Sequence, residues 1–315
     1  MPVKANFYLF ILKFVMNLKK LMNKYLKLIR VEQWIKNLFV FIPLFFSGNI
    51  THIGLLNKSI FAFIIFSLAA SSIYIINDYK DIESDSKHPV KCKRPLASGA
   101  ISKVNAIILF FILIITVVLL IVLGQDYFDR QFFKFSIIIA SYFLMNLAYT
   151  MHLKHVAIVD VFIISIGFVL RVLAGGYATG IVTSQWAILL TFVLAMVLAI
   201  GKRRGELINA EISGKTRKAL DGYNVQFADI VLSISITLAI ICYLMFTLTP
   251  EVQERFGKKV FYTVLFVVFA FLRYLQQTLV YNRTESPTKI VYKDKYVQIT
   301  LFFWLTAFLL LIYYK

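Results

Sequence analysis

The amino-acid sequence predicts an all-α, polytopic membrane protein, and three observations carry that prediction. Of 315 residues, 60% are hydrophobic and the mean hydropathy is +0.77, more apolar surface than a soluble domain of this length can bury. Apolar runs of membrane-crossing length recur from residue 60 to the C-terminus with brief polar breaks between them. The runs show no alternation of apolar and polar residues, so a lipid-embedded barrel is excluded and helices, which satisfy their own backbone groups in hydrocarbon, are expected.

Taken in order, residues 1–30 interleave Lys4, Lys13, Lys19, Lys20, Lys24, Lys27 and Arg30 with Phe, Leu and Ile. This composition suits an amphipathic cytoplasmic helix on an anionic leaflet. A cleaved signal peptide is the competing reading, but the basic residues continue through the segment and no small-residue cleavage site follows. Residues 31–315 are expected to form one transmembrane domain. Its first span, 34–46, is short or broken, because Glu32, Lys36 and Asn37 stand at its start and Pro43 interrupts it. Eight fuller spans are expected at 60–76, 106–123, 132–149, 158–177, 186–200, 230–248, 260–281 and 297–314, making nine transmembrane helices. No internal repeat is visible.

Basic residues concentrate in 1–30, 77–99, 201–228 and 282–296, whereas 48–57 and 178–185 carry none. The positive-inside rule then places the N-terminus in the cytoplasm and the C-terminus outside. Arg255, Lys258 and Lys259 fit less well, since they fall on the outer side, accompanied by Glu251 and Glu254. The net charge of +18 follows from this topology and from attraction to anionic lipid, so no nucleic-acid partner is required. Cys92 and Cys242 fall in a loop and a span, which argues against a disulfide. His52, His88, His152 and His155 are scattered over loops and lack zinc-site spacing.

Acid is scarce, with 16 Asp and Glu against 34 Lys and Arg. The cluster Asn77, Asp78, Asp81 and Asp85 at the end of the 60–76 run, flanked by Lys80, Lys87, Lys91, Lys93 and Arg94, therefore needs a physical reason. On a continuous helix, 77, 81 and 85 stack on one face with 78 beside them, so hard oxygen donors could converge on a divalent cation. A second group comprises Tyr149, Lys154 and Asp160. Tyr149 and Lys154 read equally well as interfacial anchors. Asp160 lies about one turn inside an apolar run, where an ionised group costs about 2.5–3.5 kcal/mol and is expected to face a polar cavity. Arg171 shares its face but stands about 16 Å further along, too far to pair with it. Arg171 thus marks either a deep polar interior or a contact with another helix, and Arg273 in a later span reads as a snorkelling or structurally paired cation. The third group, Lys202, Arg203 and Arg204 followed by Glu206, has the ordinary look of a span boundary. It could equally clamp a phosphate, with the acid orienting the cations, as could Lys36 beside Trp34. Together the groups describe a central cavity open to the cytoplasm, with acid for a metal and base for phosphate.

The run Asn77-Asp78-Tyr-Lys-Asp81-Ile-Glu-Ser-Asp85, followed by Lys91-Cys-Lys-Arg94-Pro95-Leu96-Ala97-Ser98-Gly99, resembles the signature of the UbiA superfamily of intramembrane prenyltransferases. The resemblance extends over nearly the whole chain. It implies a nine-span bundle in which Asp78, Asp81 and Asp85, assisted by Asn77, bind Mg²⁺ and a donor diphosphate. Gln33-Trp34-Ile-Lys36-Asn37, Gly167-Phe-Val-Leu-Arg171-Val-Leu-Ala-Gly175-Gly176, Gly201-Lys202-Arg203 with Glu206, and Glu285-Ser286-Pro287 are similar to the branch that phosphoribosylates decaprenyl phosphate. The chain departs from the aromatic prenyltransferases in its second acidic motif, of which only Asp160 remains after Tyr149 and Lys154. For this branch the resemblance implies transfer of 5-phosphoribosyl from phosphoribosyl diphosphate to a polyprenyl phosphate in a bacterial inner membrane, as a step toward a cell-wall precursor. Lys36, Lys91, Arg94, Lys154, Arg171, Lys202 and Arg203 would then contact substrate, and Tyr149 and Asp160 would orient the sugar. Two alternatives stay open. One is prenyl transfer from a polyprenyl diphosphate to an aromatic or other small acceptor. The other is a transporter coupled through Asp160 and Arg171, against which stand the lack of paired repeats and the position of the acids. Oligomeric state leaves no trace in the sequence.

Overall fold

The computed structural model describes residue 19 and residues 21–213, 220–282 and 293–313. Most of the predicted N-terminal amphipathic segment and the Glu285-Ser286-Pro287 motif lie outside these residues. Among the described residues the chain is helical throughout, with no strand. Eight helices are long and apolar enough to cross a membrane: α1 Ile53–Lys80, α2 Lys103–Leu123, α3 Phe132–Met151, α4 Val159–Thr179, α5 Gln185–Ser213, α6 Val225–Leu248, α7 Lys258–Val280 and α8 Lys295–Tyr313.

Helix starts are set by side chains that accept the first free backbone N–H groups. His52 accepts from Leu55 N at 3.3 Å, Ser102 from Asn105 N at 3.2 Å and Asn224 from Phe227 N at 2.6 Å. Asp294 does the same for α8, receiving Tyr296 N at 3.0 Å and Val297 N at 3.1 Å. Gly180, at φ 72, ends α4 in the left-handed conformation that glycine adopts without cost. Consecutive helices pack together except α2 and α3, α1 also lies against α3 and α4, and α1 and α4 are the most enclosed elements. By contrast, α2 exposes Ile108, Phe111, Ile112, Ile115, Val118, Leu119 and Val122. An apolar stripe that would be a liability in water is what a lipid-facing helix presents.

The predicted short first span is a 3₁₀ helix, Val31–Phe41, that continues as the α-turns Ile42–Phe46, with Pro43 in the first α-turn, where its missing N–H is harmless. This lead-in segment runs antiparallel to α1. Arg30 meets Asp78, Trp34 Nε1 donates to Ser71 Oγ at 3.0 Å, and Asn37 Nδ2 donates to Ser67 Oγ at 2.9 Å. At the far end Phe46 packs among Phe246, Trp304 and Phe308. The 11 residues of 3₁₀ helix and 5 of α-helix reach about 30 Å. That matches the hydrocarbon thickness of a bilayer, which 16 α-helical residues would not.

Two predicted boundaries are corrected. α1 does not stop at residue 76 but continues through Asn77 and Asp78 to Lys80, and α5 continues past residue 200 through Lys202–Glu206 to Ser213. In both places buried ion pairs, described below, allow charged residues to stay helical where hydropathy alone ends a span.

The lead-in segment touches α4 backbone to backbone at Gly175: a Cβ there would lie 1.8 Å from the Val40 carbonyl oxygen. Gly175→Ala is therefore expected to destabilise the protein by about 1–3 kcal/mol, as overpacking does. Thermal unfolding in detergent reads this as a lowered midpoint, and an unchanged midpoint would contradict the close approach.

Candidate active site

The last turn of α1 presents Asp78, buried to 2% exposure, and the short helix Ile82–Ser86 presents Asp85, buried to 3%. Arg94 joins them: its Nη1 donates to Asp78 Oδ1 at 3.2 Å and to Asp85 Oδ2 at 2.6 Å. Arg30, at φ 52 just before the lead-in segment, brings a second guanidinium to Asp78 Oδ1 and lies over the Tyr74 ring, 5.0 Å from its centroid. Asp81 departs from the predicted arrangement. It sits at the break between two helices, with φ −94 and ψ 8, so the register that would stack 77, 81 and 85 on one face is lost. Its carboxylate instead receives Lys154 Nζ at 2.6 Å, and Lys154 is buried to 6% exposure. The acids that converge on one point are thus Asp78 and Asp85. Asn77 is half-buried at the same end of α1, and Lys91 is half-buried in the 3₁₀ turn Lys91–Lys93.

The second group forms where α4 begins. Asp160, fully buried in the first turn, accepts Arg203 Nε of α5 on Oδ2 at 2.7 Å and the Tyr223 hydroxyl on Oδ1 at 2.8 Å. Tyr223 in turn accepts the backbone N–H of Ile158 at 2.6 Å. That bond holds Ile158 at φ 70, a conformation a β-branched residue rarely takes. Burial pushes the Tyr223 phenol above its ordinary range, so it remains a donor to the carboxylate. Arg203 also donates through Nη1 to Glu206, and Tyr149 stands near enough for its charge state to bear on Arg203. Lys202, on the exposed side, lies 3.9 Å from Glu206. The adjacent Arg204 is fully occupied by Asp229, the Thr278 carbonyl at 2.8 Å and Asn282 Oδ1 at 3.1 Å. Tyr223 and Arg30 were not marked by sequence reasoning: an aromatic in a loop and one cation among seven carry no distinguishing pattern.

Arg171 and Asp160 do not pair, in keeping with their separation along α4. Arg171 Nε donates to Asn37 Oδ1 at 2.7 Å, Nη1 to the Gly167 carbonyl at 2.8 Å and Nη2 to the Tyr142 hydroxyl at 3.1 Å, within a cage formed by the Phe66, Tyr142 and Phe168 rings. Each of its three nitrogens thus donates one hydrogen bond within the fold. Arg273 is the structural pair that was one of its two readings, joined to Asp294 Oδ2 at 2.7 Å. Lys36, half-buried in the lead-in segment, differs from the buried cations described above. It makes no ion pair or hydrogen bond among the described residues, and Lys202, Arg171 and Arg30 are among the charges that bear on it.

Among the described residues no three His, Cys, Asp or Glu side chains form a ready metal cage. The donor chemistry nonetheless fits a hard divalent cation. Two buried carboxylates aim one oxygen each at a single cationic nitrogen, so a cation position between them already exists.

Comparisons with known proteins bear on the family and the fold. Residues 38–307 match the UbiA prenyltransferase family. The decaprenyl-phosphate phosphoribosyltransferase of Mycolicibacterium smegmatis is 34% identical over 311 residues, covering 94% of this chain and 95% of its own. That of Mycobacterium tuberculosis is 34% identical over 222 residues, 69% of this chain and 71% of its own. Among solved structures, a UbiA homologue from Archaeoglobus fulgidus bound to DMAPP and Mg²⁺ superposes with a TM-score of 0.64 at 17% identity, covering 93% of this chain and all of the other.

Removing one partner of a buried ion pair strands the other charge, at about 3–5 kcal/mol. Asp160→Asn leaves Arg203 only Glu206 as a charged partner and should lower the thermal midpoint more than Tyr223→Phe, which removes two hydrogen bonds at about 0.5–1.5 kcal/mol each. Equal effects of the two variants would dissolve the Arg203–Asp160 pair as the fastener between α4 and α5.

Proposed function

The chain belongs to the UbiA prenyltransferase family, and on that premise we propose that it transfers 5-phosphoribosyl from phosphoribosyl diphosphate to a polyprenyl phosphate, releasing diphosphate. The observation that carries this reading is an acid site together with a cation that has no acid of its own. Asp78 and Asp85 converge on one cation position, while Lys36, on which the charges of Lys202, Arg171 and Arg30 bear, makes no ion pair among the described residues. Cations held together at close range repel one another, an arrangement that becomes favourable when a phosphate joins them. A diphosphate donor, a phosphorylated sugar and a phosphorylated acceptor require both kinds of site. A neutral aromatic acceptor requires only the first. The phosphoribosyltransferase names of the mycobacterial relatives support the same choice.

In this reading Asp78 and Asp85, with Asn77 and Asp81 beside them, would hold Mg²⁺. When bound, that ion supplies neutralisation of the charge that develops on the departing diphosphate. Arg94 aims both carboxylates and Arg30 aims Asp78, and both arginines can follow the diphosphate as phosphate contacts, with Lys91 near by. Lys154 fixes Asp81. Lys36 and Lys202 hold a further phosphate, and Arg171, through Asn37, positions the segment that carries Lys36. Asp160, Arg203 and Tyr149 border the sugar. The bond from C1 of ribose to the diphosphate oxygen breaks as an oxygen of the lipid phosphate forms its bond to C1 from the opposite face. The lipid phosphate is already anionic, so no strong general base is needed. The polyprenyl chain lies between helices that open to the bilayer. The chain is a multi-span membrane protein of this family. We place the lead-in segment as its ninth span, the site at the cytoplasmic face of a bacterial inner membrane and the C-terminus outside.

The test is incubation of purified protein with labelled phosphoribosyl diphosphate, polyprenyl phosphate and Mg²⁺, with and without chelator, following label into the organic phase. Metal-dependent ribosylated lipid is the expected product. Label transfer only from a polyprenyl diphosphate to a small acceptor would replace this reading with prenyl transfer. Asp78→Ala and Asp85→Ala should each lower turnover by at least about 10²-fold, the scale of losing one stabilising group at a developing charge, with the protein still inserted and folded. Turnover at the wild-type level in both variants would refute the assignment of the acid site.

A further inference from the structure

The connection between α3 and α4 is held from two sides. On the side of α1, Lys80 Nζ donates to the Met151 carbonyl at 2.7 Å and Lys154 Nζ to Asp81 at 2.6 Å. On the other side it meets the turn that precedes α6, where a Cβ on Gly222 would lie 2.5 Å from that of Ala157. Tyr223, 7% exposed, stands in this turn. Its own N–H donates to the Leu220 carbonyl at 2.9 Å, and the Asn224 cap of α6 follows directly after it. An amide N–H can only donate, so the Tyr223 hydroxyl accepts from Ile158 and gives its single proton to Asp160 Oδ1, which leaves Oδ2 to Arg203 Nε.

Ile158, at φ 70 and ψ −48, is the centre of a γ-turn closed by Val159 N on the Ala157 carbonyl at 2.8 Å. This hand of γ-turn is rare and strained, the more so for a β-branched residue. It sets the direction in which the connection meets α4, and the Tyr223 hydroxyl holds its central N–H. Tyr223 thus joins two parts of the site: Lys154 and its partner Asp81 through the backbone at Ile158, and Arg203 through Asp160. Resting on the reading of the reaction given above, we propose that Tyr223 is a positioning residue for the phosphoribosyl donor, keeping the Lys154–Asp81 pair and Arg203 at the separation that the donor spans. Without the hydroxyl, Ile158 relaxes to negative φ and the connection swings away with Lys154. The donor then loses affinity more than reactivity.

Two measurements test this. Zero-length carbodiimide cross-linking of Asp81 to Lys154 in the detergent-purified protein, quantified by mass spectrometry, reads the position of Lys154 with no substrate present. Steady-state ribosylation of polyprenyl phosphate reads the consequence. Tyr223→Phe is expected to lower the cross-link yield about ten-fold and to raise KM for phosphoribosyl diphosphate about ten-fold, with kcat within about two-fold of wild type. Ile158→Gly, which adopts φ 70 without strain, should match wild type on its own and, combined with Tyr223→Phe, restore most of the cross-link and of KM. A residue that merely stabilised the fold would not be rescued by a glycine, which adds freedom to the unfolded chain. An unchanged cross-link in Tyr223→Phe, or a double variant no better than Tyr223→Phe, would overturn the proposal. Cross-links that follow the expected pattern in a protein that ribosylates no lipid would uphold the positioning and strike the assigned reaction instead.

Discussion

An ionised side chain inside a membrane bundle must be met by an opposite charge or by a set of hydrogen-bond partners, and the arrangement of this protein follows from how that requirement is satisfied. Each carboxylate of the acid motif is matched by a cation from a different part of the chain: Asp78 by Arg30 and Arg94, Asp85 by Arg94 and Asp81 by Lys154. Asp160 repeats the pattern with Arg203 of α5. Because the partners come from separate elements, every pair also fixes tertiary structure. The lead-in segment is tied to the end of α1, the loop after α1 folds back on it, the α3–α4 turn closes on the same region, and the C-terminal half of α5 is fastened to the start of α4. Such pairs contribute little net stability against an apolar alternative, but breaking one leaves a buried charge, so they specify one arrangement strongly.

Arg171 carries this arrangement into the middle of the bundle. Its planar fork engages Asn37, the Gly167 carbonyl and Tyr142 while its faces meet aromatic rings, and Asn37 passes the connection on to Ser67 of α1. Lysine has neither the fork nor the flat faces to do this. The lead-in segment is thereby held at one depth and one rotation, close enough to α4 for Val40 to require glycine at 175. Lys36 lies one residue before Asn37, so the geometry that satisfies Arg171 also sets Lys36 among cations.

Much of this was legible in the sequence. Apolar runs located eight spans, the scarcity of acid singled out Asp78, Asp81 and Asp85 beside Asn77 as a candidate metal cluster, and its place inside an apolar run marked Asp160 as facing a polar interior. The weak run at 34–46 was read as short or broken, and the reason, 3₁₀ extension past Pro43, is visible only in the backbone. Hydropathy ended α1 and α5 too early because it assigns a fixed cost to a charge, whereas a paired charge inside a bundle stays helical. The grouping of Asp81 with Asp85 assumed an unbroken helix, and the break at Asp81 turned that side chain toward Lys154 instead. Tyr223 and Arg30 were invisible because their roles depend on long-range contacts, 63 and 48 residues along the chain from their partners.

The central claim is that Lys36 stands in an unfavourable cationic environment that a phosphate ligand relieves, a local cost in stability that is characteristic of binding sites. The most direct measurement is the thermal midpoint of Lys36→Met beside wild type, each with and without phosphoribosyl diphosphate and Mg²⁺. With ligand near 100 times its dissociation constant, wild type should gain about 2.7 kcal/mol. The account predicts that the variant unfolds at or above the wild-type midpoint without ligand and loses most of the ligand-induced rise. A variant that is less stable without ligand yet keeps the full rise would make Lys36 a structural residue and contradict the account.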